Sequence, residues 1–494
     1  MTADALPSPD LTLRPDRTLR RLNDGRTLLG GTPLRLLRLK PAGATAAARL
    51  LDGEPPGPSR GRRQLARRLL SAGLAHPVPA GPGPFGPVDV TVVVPVLNDE
   101  AGVEALVGRL GVGRVMEVDD GSGPPTRAAE AQVGRVIVVD DGSTTPIRAA
   151  GTQVVRRDST GGPAAARNTG LEHVRTPLVA FVDADARPDP GWLEHLLPHF
   201  ADPAVAVVAP RVRSARGAGR LARYEEHRSP LDLGDIGALV RPRGRVAYVP
   251  ATAIVARTDV VRNLGGFATE LRWGEDVDLV WRLVEAGHIV RYEPAATVAH
   301  RPRSRLAAWV RQRVSYGTAA APLSLRHPGA VPPVAVSAWS ALAWLLVALR
   351  RPLAGLAVAA ASAAFLPRKL TPMGVPREVA LGLAARGHLG AGRWLAAAVT
   401  RPWWPFALAA AATCRRLRPA VLAAAVVPAA VDWCRTRPSV DPASYVGLRI
   451  ADDLAYGAGV WLGCARSRTL APLKPDLASW PGRSSSQIGS VDRS

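Results

Sequence analysis

Lysine is nearly missing from this 494-residue chain, occurring only at 40, 369 and 474. The 63 basic residues are therefore almost all arginine, and the net charge of +22 comes with abundant Ala, Gly, Pro and Val. That bias marks a GC-rich coding sequence rather than a basic face evolved for nucleic acid, and no nucleic-acid-binding signature accompanies it, so no nucleic-acid partner is expected. Cysteine is as scarce. Cys414, Cys434 and Cys464 are odd in number and far apart, which excludes a disulfide framework and a Cys-ligated zinc and suits a reducing compartment. The N-terminus shows no early apolar core with a cleavage site, so no secretory signal is expected. No uninterrupted apolar run reaches the roughly 20 residues of a membrane-spanning helix.

What is present is a set of apolar runs that end in acids. Leu178 to Asp185 reads LVAFVDAD, a buried-strand pattern that delivers Asp183 and Asp185 to its carboxyl end, where open α/β sheets place ligands. Two close like charges repel unless a divalent cation stands between them and a polyanion. The pair therefore suggests Mg²⁺ or Mn²⁺ bridging the chain to a diphosphate; the alternative is a turn, because 186–190 is a loop sequence. Upstream, VGRVMEVDDGS from Val112 recurs as VGRVIVVDDGS from Val133, 21 residues later, too short a repeat for a solenoid. The later copy has the uninterrupted strand and leads directly into GGPAAARN. It is expected to be functional, with Asp140 and Asp141 at its strand end, and the copy with Asp119 and Asp120 to be a surface insertion.

Pro163 after Gly161 and Gly162 marks a helix start whose N–H groups, with Arg167, could face an anion; Arg167 could equally pair with a carboxylate such as Asp183. Glu275 and Asp276 open an amphipathic helix in which Val277, Val280, Trp281 and Val284 share one face. His300, after the strand HIVRYEP and its extension ATVAH, is either a hydrogen-bonded structural residue or a further ligand of a carboxylate-bound metal.

In chain order, 1–80 is expected to form a small α+β unit, with a hairpin at Asn23-Asp24-Gly25 and helices around 44–52 and 62–73. It resembles a winged-helix-like module of the sort that peptide-modifying systems use to grip a precursor peptide; a structural cap is the alternative. His76 to Asp89 is too rich in Pro and Gly for an element interior and reads as linker, with the domain boundary set at 81–89. Strands at 90–94 (closed by Pro95), 205–210, 246–250 and 253–256 alternate with helices, indicating a mainly parallel α/β sheet in a domain over 90–328. Residues 329–470 hold apolar stretches at 334–349, 353–366, 403–414 and 419–433. These are expected to be helices associated with a membrane surface, interfacial or re-entrant with spans open, or else a soluble bundle. The tail 471–494 is expected to be disordered.

VTVVVPVLND, VIVVDDGS, GGPAAARNTG, LVAFVDADARPDPGWL, GGF and WGEDVDLVWRLVEAG, in this order and spacing, resemble a family 2 glycosyltransferase of the GT-A fold over roughly 90–315. The wider chain resembles the mycofactocin biosynthesis glycosyltransferases. The resemblance implies inverting, metal-dependent transfer of a hexose, glucose from UDP-glucose, to the peptide-derived redox cofactor mycofactocin or its precursor, once or repeatedly, at the cytoplasmic face of the membrane or in the cytoplasm. It implies Asp140 or Asp141 on the uracil and ribose, Pro95 and Arg167 beside the UDP-sugar, and Asp183 and Asp185, with His300, on the metal and through it the diphosphate. Asp276 would deprotonate the acceptor hydroxyl and Glu275 would orient. Processive members carry Gln-x-x-Arg-Trp; 311–317 here reads RQRVSYG, so extrusion through a membrane channel is not expected, while Arg311 or Arg313 is left to contact diphosphate. Two other readings stand beside this one: a cell-envelope glycosyltransferase acting on a lipid-linked or polysaccharide acceptor, and an inactive peptide-binding scaffold.

Overall fold

The computed structural model describes residues 6–111 and 133–478. The earlier DDGS copy, with Asp119 and Asp120, lies outside the described residues, as does 479–494 of the expected tail. From the N-terminus come β1 (Thr12–Pro15), β2 (Arg20–Leu22), β3 (Thr27–Gly30), β4 (Arg35–Arg38), helices α1 (Pro41–Leu51) and α2 (Arg60–Ala72), and β5 (Ala75–Val78). Next are β6 (Val90–Val96), α3 (Glu100–Arg109), β7 (Arg135–Asp140), β8 (Gln153–Arg156), α4 (Gly162–His173), β9 (Leu178–Val182), β10 (Ala186–Pro188), α5 (Trp192–Leu196) and β11 (Val205–Ser214). Then follow α6 (Arg220–Arg228), β12 (Ala238–Leu239), β13 (Ala253–Arg257), α7 (Thr258–Asn263), α8 (Glu275–Glu285) and β14 (Ile289–His300). The rest is helical: α9 (Leu306–Thr318), α10 (Ala320–Arg326), α11 (Ala338–Ala348), α12 (Pro352–Leu370), α13 (Arg377–Thr400), α14 (Trp404–Thr413), α15 (Arg418–Thr436) and α16 (Pro442–Ser467). Two compact units share these elements, one drawn from Met1–Asp16, Arg49–Arg216 and Arg228–Pro302, the other from Arg17–Ala48, Gly217–His227 and Arg303–Ser494.

The first unit is built on a nine-stranded sheet of order β10-β14-β11-β13-β9-β6-β7-β8, with β12 on β14. β9, β6, β7 and β8 run parallel, and β11 and β14 are parallel to each other. β13 is antiparallel to both neighbours, β9 and β11, so the α/β sheet is mixed, of GT-A type. Its central strands read as unbroken apolar runs because both faces are covered: every residue of β9, and all of β6 except Pro95, is buried. Pro95 follows Val93, the last β6 residue paired to β9, so its missing N–H falls where that ladder has ended. Helix α4 lies hard on the sheet, and a Cβ on Gly170 would come within 2.3 Å of Val93 Cγ1. Only glycine permits that approach. Residues 246–250, expected as a strand, are irregular.

The N-terminal residues are divided. β1 pairs antiparallel with β5, so the Pro-rich stretch read as linker begins as a strand, with Pro77 tolerated in a two-stranded ladder. These strands and α2 belong to the first unit, whereas β2, β3 and β4 form a separate three-stranded sheet in the second. The expected hairpin is present, with Asn23, Asp24 and Gly25 all at positive φ (52°, 54° and 80°). Its sheet is too small to bury itself. Leu29 and Leu36 instead pack on Leu370, Val375 and Ala380 of the second unit, which is why 1–80 does not close as one winged-helix-like module.

In that second unit α9 and α16 pack backbone to backbone: a Cβ on Gly317 would meet Tyr456 O at 2.1 Å, and one on Gly459 would meet Val314 O at 2.0 Å. Beside this seam lies a buried ionic cluster. Arg313 bonds Asp452 (Nε–Oδ1 2.9 Å) and Glu225, Trp309 Nε1 donates to Glu225 Oε1 at 2.8 Å, and Tyr224 OH donates to Asp452 Oδ2 at 3.1 Å. Two helical stretches, Pro352–Met373 and Arg415–Thr436, are each 22 residues and apolar enough to cross a membrane, and only 17% and 6% of their apolar windows are buried. The runs that looked too short are extended by flanking Arg, Lys and Pro that remain helical. Of the expected tail, Ala471–Leu473 is a 3₁₀ turn and Asp476 bridges to Ala335.

Candidate active site

The acids singled out in the sequence collect at one edge of the large sheet, at the carboxyl ends of β7 and β9 and the start of α8. Asp140, the last residue of β7, is fully buried. Its Oδ1 accepts from Ser143 N (2.8 Å), and its Oδ2 accepts from Ile147 N (3.2 Å) and from Arg156. Burial alone would raise its pKa, but the Ser143, Ile147 and Arg156 hydrogen bonds hold it below the usual carboxylate range. Asp141 accepts from Gly161 N (3.0 Å) and Gly162 N (2.8 Å) and pairs with Arg157 at 3.0 Å. The helix N-terminus expected to face an anion is thus capped from within the chain. Both carboxylates have oxygens engaged in shaping the loops that follow β7.

The contacts of Asn98 and Ser143 were not legible in the sequence. Asn98, at φ 56°, donates its N–H to Ser143 Oγ (2.9 Å) and accepts from Thr144 N with its side-chain oxygen (2.8 Å). The loops after β6 and β7 are thereby fastened together. The serine of the DDGS motif and an Asn three residues after a strand-end proline were the only signals available.

Arg167 on α4, buried, donates to Asp183 Oδ1 and to Glu275 Oε1, both at 2.8 Å, and lies over the Phe267 ring at 5.3 Å. It is the structural partner of the carboxylates and ties the loop after β9 to the start of α8. Phe267 is held in turn by Asn168, which accepts from Phe267 N and donates to Phe267 O, both at 2.8 Å. Gly266 is required there, at φ 68° with Asn168 Oδ1 2.4 Å from where a Cβ would stand. Asp183 N donates to Thr252 O at 2.9 Å.

Asp276 follows Glu275 in the first turn of α8 and accepts from Val277 N (2.8 Å) and Ala251 N (3.3 Å). Burial first, then the neighbouring Glu275, pushes its pKa up to about 7, against the pull of Arg167 and the two backbone N–H groups. Its side chain keeps partial exposure. A half-open carboxyl titrating near neutrality is equipped to take a proton.

Asp185 Oδ2 and His300 Nε2 are 3.3 Å apart, brought together because β10 pairs with the end of β14, Ala186 opposite His300. Among the described residues no group of three or more His, Cys, Asp or Glu converges on a point, and Asp183 is turned to Arg167. One carboxylate oxygen and one imidazole nitrogen at this spacing fit an open site for a hard divalent ion that keeps water or phosphate oxygens in its other positions. Of the two arginines expected at a diphosphate, Arg313 is consumed by Glu225 and Asp452, and Arg311 is exposed on α9.

The Glycosyl transferase family 2 model matches residues 91–264, and the Glycosyl transferase family group 2 model matches 178–411. The pre-mycofactocin glycosyltransferase of Mycobacterium tuberculosis (strain ATCC 25618 / H37Rv) is 44% identical over 490 residues, spanning 97% of this chain and 100% of the relative. Glycosyltransferase AglE of Haloferax volcanii is 28% identical over 141 residues, 28% of this chain and 44% of AglE. Among solved structures, the mannosyltransferase PcManGT of Pyrobaculum calidifontis, in complex with GDP-Man and Mn²⁺, aligns at 19% identity over 61% of this chain and 87% of that one, with a TM-score of 0.35.

Proposed function

The chain belongs to glycosyl transferase family 2, in the family of the pre-mycofactocin glycosyltransferases, and from that premise we propose that it transfers a hexose from a UDP-sugar, glucose in the first instance, to the peptide-derived precursor of mycofactocin. The observation that carries this reading is the double engagement of Arg167 by Asp183 and Glu275. It holds the arm bearing Asp185 and the helix bearing Asp276 at one edge of the sheet.

The fastened loops after β6 and β7, with Asp140 and Asp141 as positioning residues, receive the nucleotide. Asp185 and His300 would hold Mg²⁺ or Mn²⁺, which neutralises charge on the leaving diphosphate. Asp276 takes the proton from the acceptor hydroxyl as its oxygen attacks the anomeric carbon, the bond from that carbon to the phosphate oxygen breaks, and UDP leaves with inversion. Glu275, locked to Arg167, orients the helix start.

The exposed helices 352–373 and 415–436 support a second part of the reading: this unit rests on the cytoplasmic face of a membrane, with Arg350, Arg351, Arg368 and Arg418 at the helix ends beside anionic headgroups. The same helices favour, as a second reading of the acceptor, a lipid-linked or polysaccharide glycan.

The test is to incubate the protein with Mn²⁺ or Mg²⁺, a panel of UDP-sugars and the peptide-derived acceptor, and to follow acceptor mass. Hexose increments from one donor, lost on chelation, are expected, and a ladder would mean repeated addition. Donor hydrolysis without increments would reject the acceptor, and transfer to a polyprenyl-phosphate glycan instead would establish the second reading. Folded protein that neither hydrolyses nor transfers would overturn the assignment.

A further inference from the structure

At the opposite edge of the large sheet from the acids, beside the first residues of β11 and β14, lies a cavity of about 170 Å³. Its walls are mainly apolar, including Leu11, Leu70, Pro198, Leu239 and Ile289, and its charged lining is Arg291 with Asp202 and the exposed Asp10. Arg291 is only 4% exposed. Among the described residues its guanidinium has no hydrogen bond or ion pair, and both carboxylates near enough to act on it are already taken. Glu293 is bonded by His199 at 3.1 Å, and Asp202 by Arg67 at 2.8 and 2.6 Å. Burial pulls the Arg291 pKa down to about 10, with Arg14 and Arg67 adding to the effect and Glu293 and Asp202 opposing it. His199, which also lines the cavity, has its Nδ1 buried without a partner.

A buried guanidinium that no carboxylate bonds directly is costly unless something supplies that partner. Glu293 and Asp202 act on Arg291 only at a distance, their oxygens being bonded by His199 and Arg67. The cavity is a little larger than the roughly 150 Å³ that holds benzene in an apolar interior. We infer that this cavity is a second ligand site, for a small organic carboxylate whose oxygens pair with Arg291 and whose benzene-sized apolar body fills the space between Leu70 and Ile289. Its position at the far edge of the sheet makes it separate from the transfer site.

The experiment is calorimetric titration of the full chain with benzoate, 3-methylbutanoate and inorganic phosphate in a buffer free of other oxyanions. Saturable binding of at least one carboxylate is expected. Arg291→Met should weaken it roughly 30-fold or more while leaving the unliganded protein at least as heat-stable, because an unpaired buried charge has been removed. Ala80→Phe, at an exposed position on the lining, should block binding without touching Arg291 or the core. Sugar transfer should be retained in both variants. Absence of saturable carboxylate binding to folded wild-type protein, binding that survives both substitutions, or binding of phosphate alone would each overturn the proposal.

Discussion

Asp276 is the residue whose chemistry is most exposed to test. Its raised pKa means that the ionised form is disfavoured in the folded protein, so its stabilising contribution is present below its ordinary value of 3.8 and lost as the pH rises through about 7. Asp276→Asn removes that penalty. Its melting temperature is expected to exceed the wild type's at pH 8, with the difference vanishing near pH 4, while transfer is abolished; an equal shift at both values would contradict the assignment. In the wild type, kcat/KM should rise with pH through an apparent pKa near 7.

At the same scale, Asp185→Ala and His300→Ala should each weaken Mn²⁺ binding by at least the roughly 10–100-fold that an outer-shell partner is worth, read by Mn²⁺ titration in the presence of UDP. Undiminished affinity in both would move the metal elsewhere. The Asp-x-Asp pair stood out because two acids end an apolar run, but that Asp183 turns to Arg167 while Asp185 meets His300 was not legible. The hydrogen-bond partners of Asp140 and Asp141 were not legible. Their partners are backbone N–H groups of Ser143, Ile147, Gly161 and Gly162, and loop conformation alone decides where those point.

Among elements, periodicity and punctuation located β6, β7, β9, α4 and α8, since an all-apolar run and a Gly-Gly-Pro start carry their own signals. Two things escaped it. β13 reads like β9 and β11 on either side of it, although it runs antiparallel to both, because strand direction leaves no trace in a buried pattern. β5 was hidden by Pro77, and only its pairing with β1 reveals it.

On α9 the use of Arg313 was not legible, because its partners are 88 and 139 residues away in sequence. Arg313→Ala strands Glu225 and Asp452 in the interior beside α9 and α16. It is expected to cost about 3–5 kcal/mol in denaturant unfolding, whereas Arg311→Ala, at an exposed position, should cost within about 0.5 kcal/mol. Equal costs would place the cluster at the surface.

For the molecule as a whole, composition left the apolar C-terminal third open between bilayer and bundle. Leu353, Leu389 and Leu422 are 80%, 74% and 65% exposed, which supports the proposed membrane contact. Co-sedimentation with vesicles containing anionic lipid is expected, diminished by salt and largely lost in Leu353→Glu/Leu422→Glu; full retention of that variant on the vesicles would contradict an apolar contact. How the division of residues 1–80 between two units arises was beyond sequence reading, since it depends on which distant helices offer Leu29 and Leu36 a place to be buried.

The most direct test of the central claim is the mass of the peptide-derived acceptor after reaction with UDP-glucose and Mn²⁺, for the wild type and Asp276→Asn in parallel. The account expects hexose-sized increments from the wild type and none from Asp276→Asn. Increments of equal size and rate from both, or none from folded wild-type protein with any UDP-sugar, would contradict it.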